Sequence, residues 1–386
     1  MRVLFVTHNF PRFVGDVPGS FLLRLAEALQ DTGVTVDVLA PGARGLAATD
    51  DLRGVRVSRF RYAPRRHETL AYSGTMAADV RRSLAAKLSL GSFIAAQYAA
   101  TRSAIARLRP DVVHAHWWFP NGLSASWLRH APPLVLTSHG SDVVLARGTR
   151  AAQPAFRRVV RRASAYTAVS SFLAGEASAM APDAAVEVAP MPVDTGLFSP
   201  GGARPGDRLL FVGRLNAQKG IDDAIRALAA QSPSVSLDVV GDGERAGEAR
   251  ALAEKLGVAG RVRWHGQLAP AALLPLYRAA SALLVPSTRE GLGLVAVEAA
   301  LCGTPSVGYA SGGLVDVIRD GQTGRLVEVG NGGALANAVR EVIDAPDRAE
   351  RLGEAARRFA LERFSPAGAA ATYRAIYERV TAARAR

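Results

Sequence analysis

Short runs of β-branched and aliphatic residues alternate with Ala-rich stretches along the whole chain. The apolar runs read as strands at Val3–Thr7, Thr35–Ala40, Val55–Phe60, Asp111–Ala115, Leu134–Ser138 and Ala165–Val169. After a break, further runs follow at Arg208–Val212, Ser236–Val240, Arg261–His265, Ala282–Val285, Ser306–Gly308 and Leu326–Glu328. Between them, segments such as Phe21–Gln30 and Asp222–Ala230 carry apolar residues three and four apart, the spacing of one helix face. This alternation predicts an α/β protein of doubly wound parallel sheets. Right-handed crossovers then set the ligand-binding loops at the C-terminal ends of the strands.

The break lies between Pro190 and Asp207, where Pro190, Pro192, Pro200 and Pro205 fall among four glycines. Such a stretch suits a linker better than a strand or helix. A chain of 386 residues suits two domains of ordinary size. The expected organisation is an N-terminal domain over 1–190, a linker over 191–207, a C-terminal domain over 208–364 and a final helix over 365–386.

Composition narrows the class. An apolar fraction of 49% with 21% charged residues is that of a soluble globular protein. The net charge of +13 favours anionic partners, although Lys87, Lys219 and Lys255 are the only lysines and the Arg bias also suits a GC-rich genome. Arginines bunch in the first half at Arg65, Arg66, Arg81, Arg82, Arg147, Arg150, Arg157, Arg158, Arg161 and Arg162. No aromatic interleaving or recognisable module supports nucleic acid. A phosphorylated acceptor or an anionic membrane surface fits better, with a solvated helix face as the alternative. The single cysteine, Cys302, fits a reducing cytosol and core packing. Met1 to Val6 is too short for a signal peptide, and no apolar run approaches the roughly 20 residues that span a bilayer. The expectation is a cytoplasmic protein, at most peripheral at the inner membrane face.

The chemistry concentrates in the run Ser287 to Pro305. Glu290 sits in a loop punctuated by Gly291 and Gly293, and Glu298 falls in the Ala-rich helix that follows. Glycines allow close backbone approach, and unpaired N–H groups at the helix start favour an anion such as phosphate. Both carboxylates could then take hydroxyl hydrogen bonds; a surface loop before a core helix, or a buried salt bridge, is the alternative. Upstream, Arg214 and Lys219 flank a turn after a strand, a guanidinium and an ammonium able to clasp two phosphates.

In the first half, His139-Gly140-Ser141-Asp142 follows a strand, and Gly15 to Gly19 form a flexible loop before a helix near Ser20. His114, His116 and Trp117-Trp118-Phe119 end another strand and either line an acceptor pocket or cap the sheet. The chain contains no Asp-x-Asp, no Cys/His cluster of ligand spacing and no G-x-S-x-G elbow, so neither a metal nor a hydrolase triad is expected.

Together these motifs resemble the retaining GT-B glycosyltransferases of family 4. The likeness rests on two glutamates separated by seven residues, with Gly-Leu-Val after the first and Cys302-Gly303-Thr304-Pro305 after the second. It extends to Val212-Gly213-Arg214-Leu215 with Lys219-Gly220, Gly241-Asp242-Gly243, Gly312-Gly313 and Asp320-Gly321-Gln322-Thr323-Gly324. The N-terminal half is looser, and Met191-Pro192-Val193-Asp194 departs from the usual Asn-Gly-Val-Asp.

The resemblance implies two Rossmann-like domains facing a cleft, with the last helix crossing back to the first domain. It implies that Arg214 and Lys219 bind the donor pyrophosphate, Glu290 the donor sugar and Glu298 the ribose. Backbone near Gly291, Leu292, Gly293, Leu294 and Val295 would meet the phosphates. Gly213, Gly241 and Gly243 would bring loops close to the nucleotide, and Arg263–Leu268 would offer a base-binding edge. His139 would face the sugar, and Gly15, Gly19, His116 and Asp142 would touch phosphate or acceptor. The co-substrate would be a nucleotide diphosphate sugar, with UDP favoured over GDP-mannose, and no other cofactor. The acceptor would be a hydroxyl, lipid-linked or otherwise. The rival from another class is a non-catalytic sugar-nucleotide-binding module at a membrane assembly.

Overall fold

A computed structural model describes residues 1–16, 18–72, 76, 80, 83–148, 152–202 and 206–384. Arg81, Arg82, Arg150, Pro205 and the Val17 position of the Gly15–Gly19 loop lie outside the described residues. The chain divides into two compact units, Met1–Pro192 with Pro366–Arg386, and Val193–Ser365.

The first unit holds strands β1 (Arg2–Val6), β2 (Thr35–Pro41), β3 (Thr49–Leu52), β4 (Val55–Phe60), β5 (Val112–His116), β6 (Leu134–Ser138), β7 (Ala165–Ala168) and β8 (Val186–Val188). Its helices are α1 (Ser20–Asp31), α2 (Leu84–Leu108), α3 (Leu123–Ser126), α4 (Ser141–Gly148), α5 (Ala152–Arg162) and α6 (Ser171–Met180). The sheet order is β3-β4-β2-β1-β5-β6-β7-β8. All pairings are parallel except β3 with β4. That antiparallel edge escapes the sequence reading because Thr49-Asp50-Asp51-Leu52 buries only Leu52, so no apolar run marks it. Short β8, half-buried at the other edge, is missed for the same reason.

Helix α1 starts at Gly19, whose φ of 73° only glycine adopts readily, and buries Leu22, Leu25, Ala26 and Leu29 on one face. The final helix, Pro366–Arg384, buries Tyr373, Ile376, Tyr377 and Val380, again one helical stripe. It packs on α1. Its Tyr373 hydroxyl donates to the Ala189 carbonyl at 3.1 Å, and Arg374 donates to the Thr32 carbonyl at 2.9 Å.

The second unit holds β9 (Arg208–Val212), β10 (Ser236–Val240), β11 (Val262–Gly266), β12 (Ala282–Val285), β13 (Ser306–Tyr309) and β14 (Gly324–Val327). Helices α7 (Ile221–Ala229), α8 (Ala246–Lys255), α9 (Pro270–Ala279), α10 (Leu294–Leu301), α11 (Leu314–Val317), α12 (Gly332–Ile343) and α13 (Pro346–Phe364) complete it. Every strand pairing is parallel, in the order β11-β10-β9-β12-β13-β14. This is the order of a dinucleotide-binding sheet, and the strand direction of winding reverses between β9 and β12. Leu209, Phe211, Leu237, Val239, Leu284 and Val307 from the strands meet Ile221, Ile225, Leu335 and Val339 from the helices in one core. Burying those apolar groups contributes about 1.5–3 kcal/mol for each large side chain.

The loops above this sheet touch backbone to backbone. A Cβ on Gly241 would stand 1.9 Å from the Gly213 carbonyl oxygen, and one on Gly220 would stand 2.1 Å from that of Pro286. Here glycine is required by loop packing, so its presence at Gly241 does not by itself indicate a ligand.

Candidate active site

In the second unit the winding reversal brings the loop after β9 beside the loop after β12. Asn216 Oδ1 accepts from the Lys219 backbone N–H at 2.9 Å, which fixes the turn that presents the lysine. The Thr288 N–H donates to the Gln218 carbonyl at 2.9 Å, and Gln218 Nε2 donates to the Arg289 carbonyl at 2.9 Å. With the two loops laced, Lys219 Nζ reaches Glu290 Oε2 at 2.5 Å, with side chains 25% and 12% exposed. Two residues expected to serve different parts of a donor are thus a direct ion pair, the salt-bridge alternative left open by the sequence.

Gly293 takes φ 91° at the start of α10, and no side chain caps that helix. The first-turn N–H groups at Leu294 and Val295 therefore favour an anion. Leu292 is buried beneath the loop, whereas Gly291 N–H lies 3.3 Å from Glu290 Oε1. One helical turn on, Glu298 Oε2 accepts from the Tyr277 hydroxyl at 2.8 Å. Tyr277 is fully buried on α9, and burial together with the Glu298 carboxylate holds its hydroxyl far above the usual range. Nothing in the sequence marks Tyr277. Arg214 is exposed and has no ion pair among the described residues.

Gly213 and Gly243 join this loop cluster. A Cβ on Gly243 would lie 2.4 Å from the Leu215 carbonyl oxygen, another packing contact. The segment expected to be a base-binding edge is largely exposed; in it His265 Nε2 meets Asp238 Oδ1 at 2.7 Å, and Trp264 lies under the Arg250 guanidinium at 4.6 Å.

In the first unit the winding reverses between β1 and β5. His8, after β1, and Trp117, after β5, pack there with tilted rings, centroids 4.6 Å apart. Trp117 holds φ 66°, a strained conformation for a bulky residue and of a kind concentrated at functional sites. Its ring also packs on His139 at 4.3 Å. His116 Nδ1 and His139 Nε2 are 3.2 Å apart. Burial lowers all four histidines: His8 to about 4, His139 to about 3, and His114 and His116 well below the usual value. The cluster is neutral at physiological pH.

Two expected contact residues are placed differently. Asp142 is buried, and its carboxylate accepts from the backbone N–H groups of His139 at 3.1 Å, Gly140 at 3.0 Å and Trp118 at 3.1 Å. It shapes the histidine loop instead of facing an acceptor. His116 is fully buried between Phe5 and His114, so it does not line an acceptor pocket. Gly19 is also committed to packing, because its Cβ would lie 2.5 Å from the Asn9 carbonyl oxygen, whereas Gly15 has open space around it. Trp118 caps the sheet: it is buried on Phe156 and donates from Nε1 to the Asp142 carbonyl at 2.6 Å. Sequence reading missed His8 and Asn121, whose Nδ2 lies 2.9 Å from His8 Nδ1.

Comparison with known proteins agrees with this architecture. Residues 19–197 match Glycosyltransferase Family 4, and residues 202–359 match Glycosyl transferases group 1. The chain is 30% identical over 383 residues to a glycogen synthase of Mycobacterium tuberculosis, covering 92% of this chain and 89% of the relative. It is 36% identical over 277 residues to the D-inositol 3-phosphate glycosyltransferase of Acidothermus cellulolyticus, covering 62% of this chain and 61% of the relative. The match to that relative thus spans about three fifths of its length. Among solved structures, Anabaena HepE in complex with UDP-glucose superposes with a TM-score of 0.70 at 20% identity, covering 98% of this chain and 100% of that one. The two parallel sheets are the GT-B pair of Rossmann-like domains. The chain belongs to the family 4, group 1 glycosyltransferases.

Proposed function

We propose that this chain is a retaining glycosyltransferase that moves a sugar from a nucleotide diphosphate donor to an acceptor hydroxyl without a metal ion. The observation that carries the reading is the meeting of Lys219 and Glu290 at the winding reversal, beside the glycine-started helix α10 and exposed Arg214. The leaving diphosphate would take the two cations and the helix N–H groups. Glu290 would take a sugar hydroxyl and Glu298 the ribose. The complex of HepE with UDP-glucose supports a UDP donor, with GDP-mannose as the alternative within the family.

In this reading the acceptor oxygen bonds to the anomeric carbon on the face from which the diphosphate departs. The carbon–phosphate-oxygen bond breaks, and the acceptor proton passes to the leaving phosphate oxygen. Catalysis is then chiefly positioning and charge stabilisation. The protein would act in the cytoplasm, at the inner membrane face where the acceptor is lipid-linked. Arg158 and Arg162, exposed on α5, are the observation that favours such contact.

Turnover of α-linked UDP-sugars in excess EDTA tests the proposal, with the product anomer read from its NMR coupling constant. An α-linked product is expected. A β-linked product refutes retention, and loss of transfer restored only by manganese or magnesium refutes metal independence. Thermal shifts with UDP, GDP and ADP sugars rank the donors by mass action. A shift with no turnover across acceptors favours the non-catalytic binding module.

A further inference from the structure

His116 ends β5 and His139 follows β6, so the parallel register of these strands sets their rings side by side. Their nitrogens Nδ1 and Nε2 lie 3.2 Å apart, and as both rings are neutral one of them must donate. The choice is decided by the other nitrogen of His116. Its Nε2 is buried and has no hydrogen-bond partner. A proton placed there would be an orphaned N–H in the core, whereas a lone pair there is an under-satisfied acceptor, the less rare of the two. The rings cannot readily turn to exchange the atoms. Phe5 and His114 hold His116 at centroid distances of 4.7 and 4.0 Å, while Trp117 and Phe21 hold His139 at 4.3 and 5.2 Å.

We infer that His116 is a positioning residue that donates from Nδ1 to His139 Nε2 and so locks His139 as its Nδ1–H tautomer. No described hydrogen bond within the protein uses His139 Nδ1. That atom becomes a fixed donor: it can give a hydrogen bond to a sugar oxygen and cannot accept a proton from one. The tautomer stands on the geometry of the first unit alone, and only its consequence for turnover rests on the proposed glycosyl transfer.

Nitrogen-15 NMR of the histidine-labelled protein without donor provides the test. His139 Nδ1 is expected at the protonated-type shift and Nε2 at the unprotonated type. The reverse pattern, or fast averaging of the two, overturns the inference whatever the enzyme transfers. His116→Asn keeps an N–H donor near the Nδ1 position and should preserve the tautomer. His116→Phe removes the donor; it should release the tautomer and lower kcat about tenfold, the scale of one hydrogen bond, with donor KM little changed. An unchanged His139 tautomer in folded His116→Phe overturns the inference. If neither variant nor the native protein turns over any sugar nucleotide, the glycosyl-transfer reading fails while the tautomer result stands.

Discussion

The Lys219 ammonium and the Glu290 carboxylate meet at 2.5 Å across 71 positions of sequence. Each comes from a loop at the C-terminal end of a central strand, and each is largely shielded from water. An ion pair so placed is poised for exchange. In the proposed reading, an arriving diphosphate would compete for the lysine, and the carboxylate would then take a sugar hydroxyl in return. On that reading, charge recognition of phosphate and hydrogen-bond recognition of the sugar would be coupled through this one contact.

Lys219→Ala should therefore lower transfer by about 10²–10³, the cost of one lost transition-state contact. It also leaves Glu290 shielded without its partner, which should destabilise the second unit by about 1–3 kcal/mol. Glu290→Gln should cost less stability and still impair turnover. Steady-state kinetics and thermal melting of both single variants and the double variant measure this. Strictly additive losses would refute the coupling, because residues in contact are not additive. Arg214→Ala should lower transfer comparably with little change in melting, since its side chain is exposed.

Tyr277 holds the Glu298 carboxylate in place. Its buried hydroxyl donates to the carboxylate at 2.8 Å, and the Thr304 hydroxyl donates to the Tyr277 carbonyl at 2.6 Å, fixing α9 against the end of α10. Tyr277→Phe should raise donor KM several-fold while leaving kcat nearly intact, with a stability loss of about 1 kcal/mol. A large fall in kcat at constant KM would assign the pair to the chemical step.

Acid should destabilise the first unit. His8 and His139 are lowered to about 4 and about 3 by burial, and His114 and His116 are lowered too. The unfolded chain takes protons on these residues below about pH 6.5, while the folded chain does not. Their stabilisation is full above that pH and is lost as pH falls, by up to about 1.4 kcal/mol per pH unit for each histidine. Calorimetry between pH 7.5 and 5 should show the melting transition of this unit fall, and His8→Phe should reduce the slope. A melting temperature flat over that range would contradict neutral burial.

The fold was largely legible in the chain because parallel sheets are built from apolar runs, and such runs announce themselves. Val55–Phe60, Leu134–Ser138, Arg208–Val212, Ser236–Val240 and Ala282–Val285 form strands with the expected bounds. The polar edge Thr49–Leu52 carried no such signal. At the site, Lys219 and Glu290 were visible as residue types, but their direct pairing depends on two loops meeting in space. Asp142 misled for a related reason: an acid beside a histidine loop reads as a ligand-facing group until its three backbone partners are seen. Tyr277 was invisible because a tyrosine in an apolar helix has the pattern of core packing.

The arginine helix yields the last prediction, in sharper form than composition allowed. On α5, Arg157 is tied to the Met180 carbonyl, and Arg161 pairs with Asp183 at 2.7 Å. Arg158 and Arg162 have no ion pair among the described residues. With Arg129, Arg157 and Arg161 they line one broad depression beside Trp127, a residue 47% exposed. Cations flanking an exposed indole suit an anionic membrane surface, where each Arg contributes about 1 kcal/mol and the indole sits at headgroup level. Arg158→Glu with Arg162→Glu should weaken sedimentation with phosphatidylserine vesicles at low salt by at least tenfold, on that scale. The corresponding pair at Arg157 and Arg161 should do less to binding and more to stability. Salt should screen the native interaction, and neutral vesicles should not bind. Native protein that stays in the supernatant with anionic vesicles at low salt would sink the membrane contact and leave a soluble acceptor.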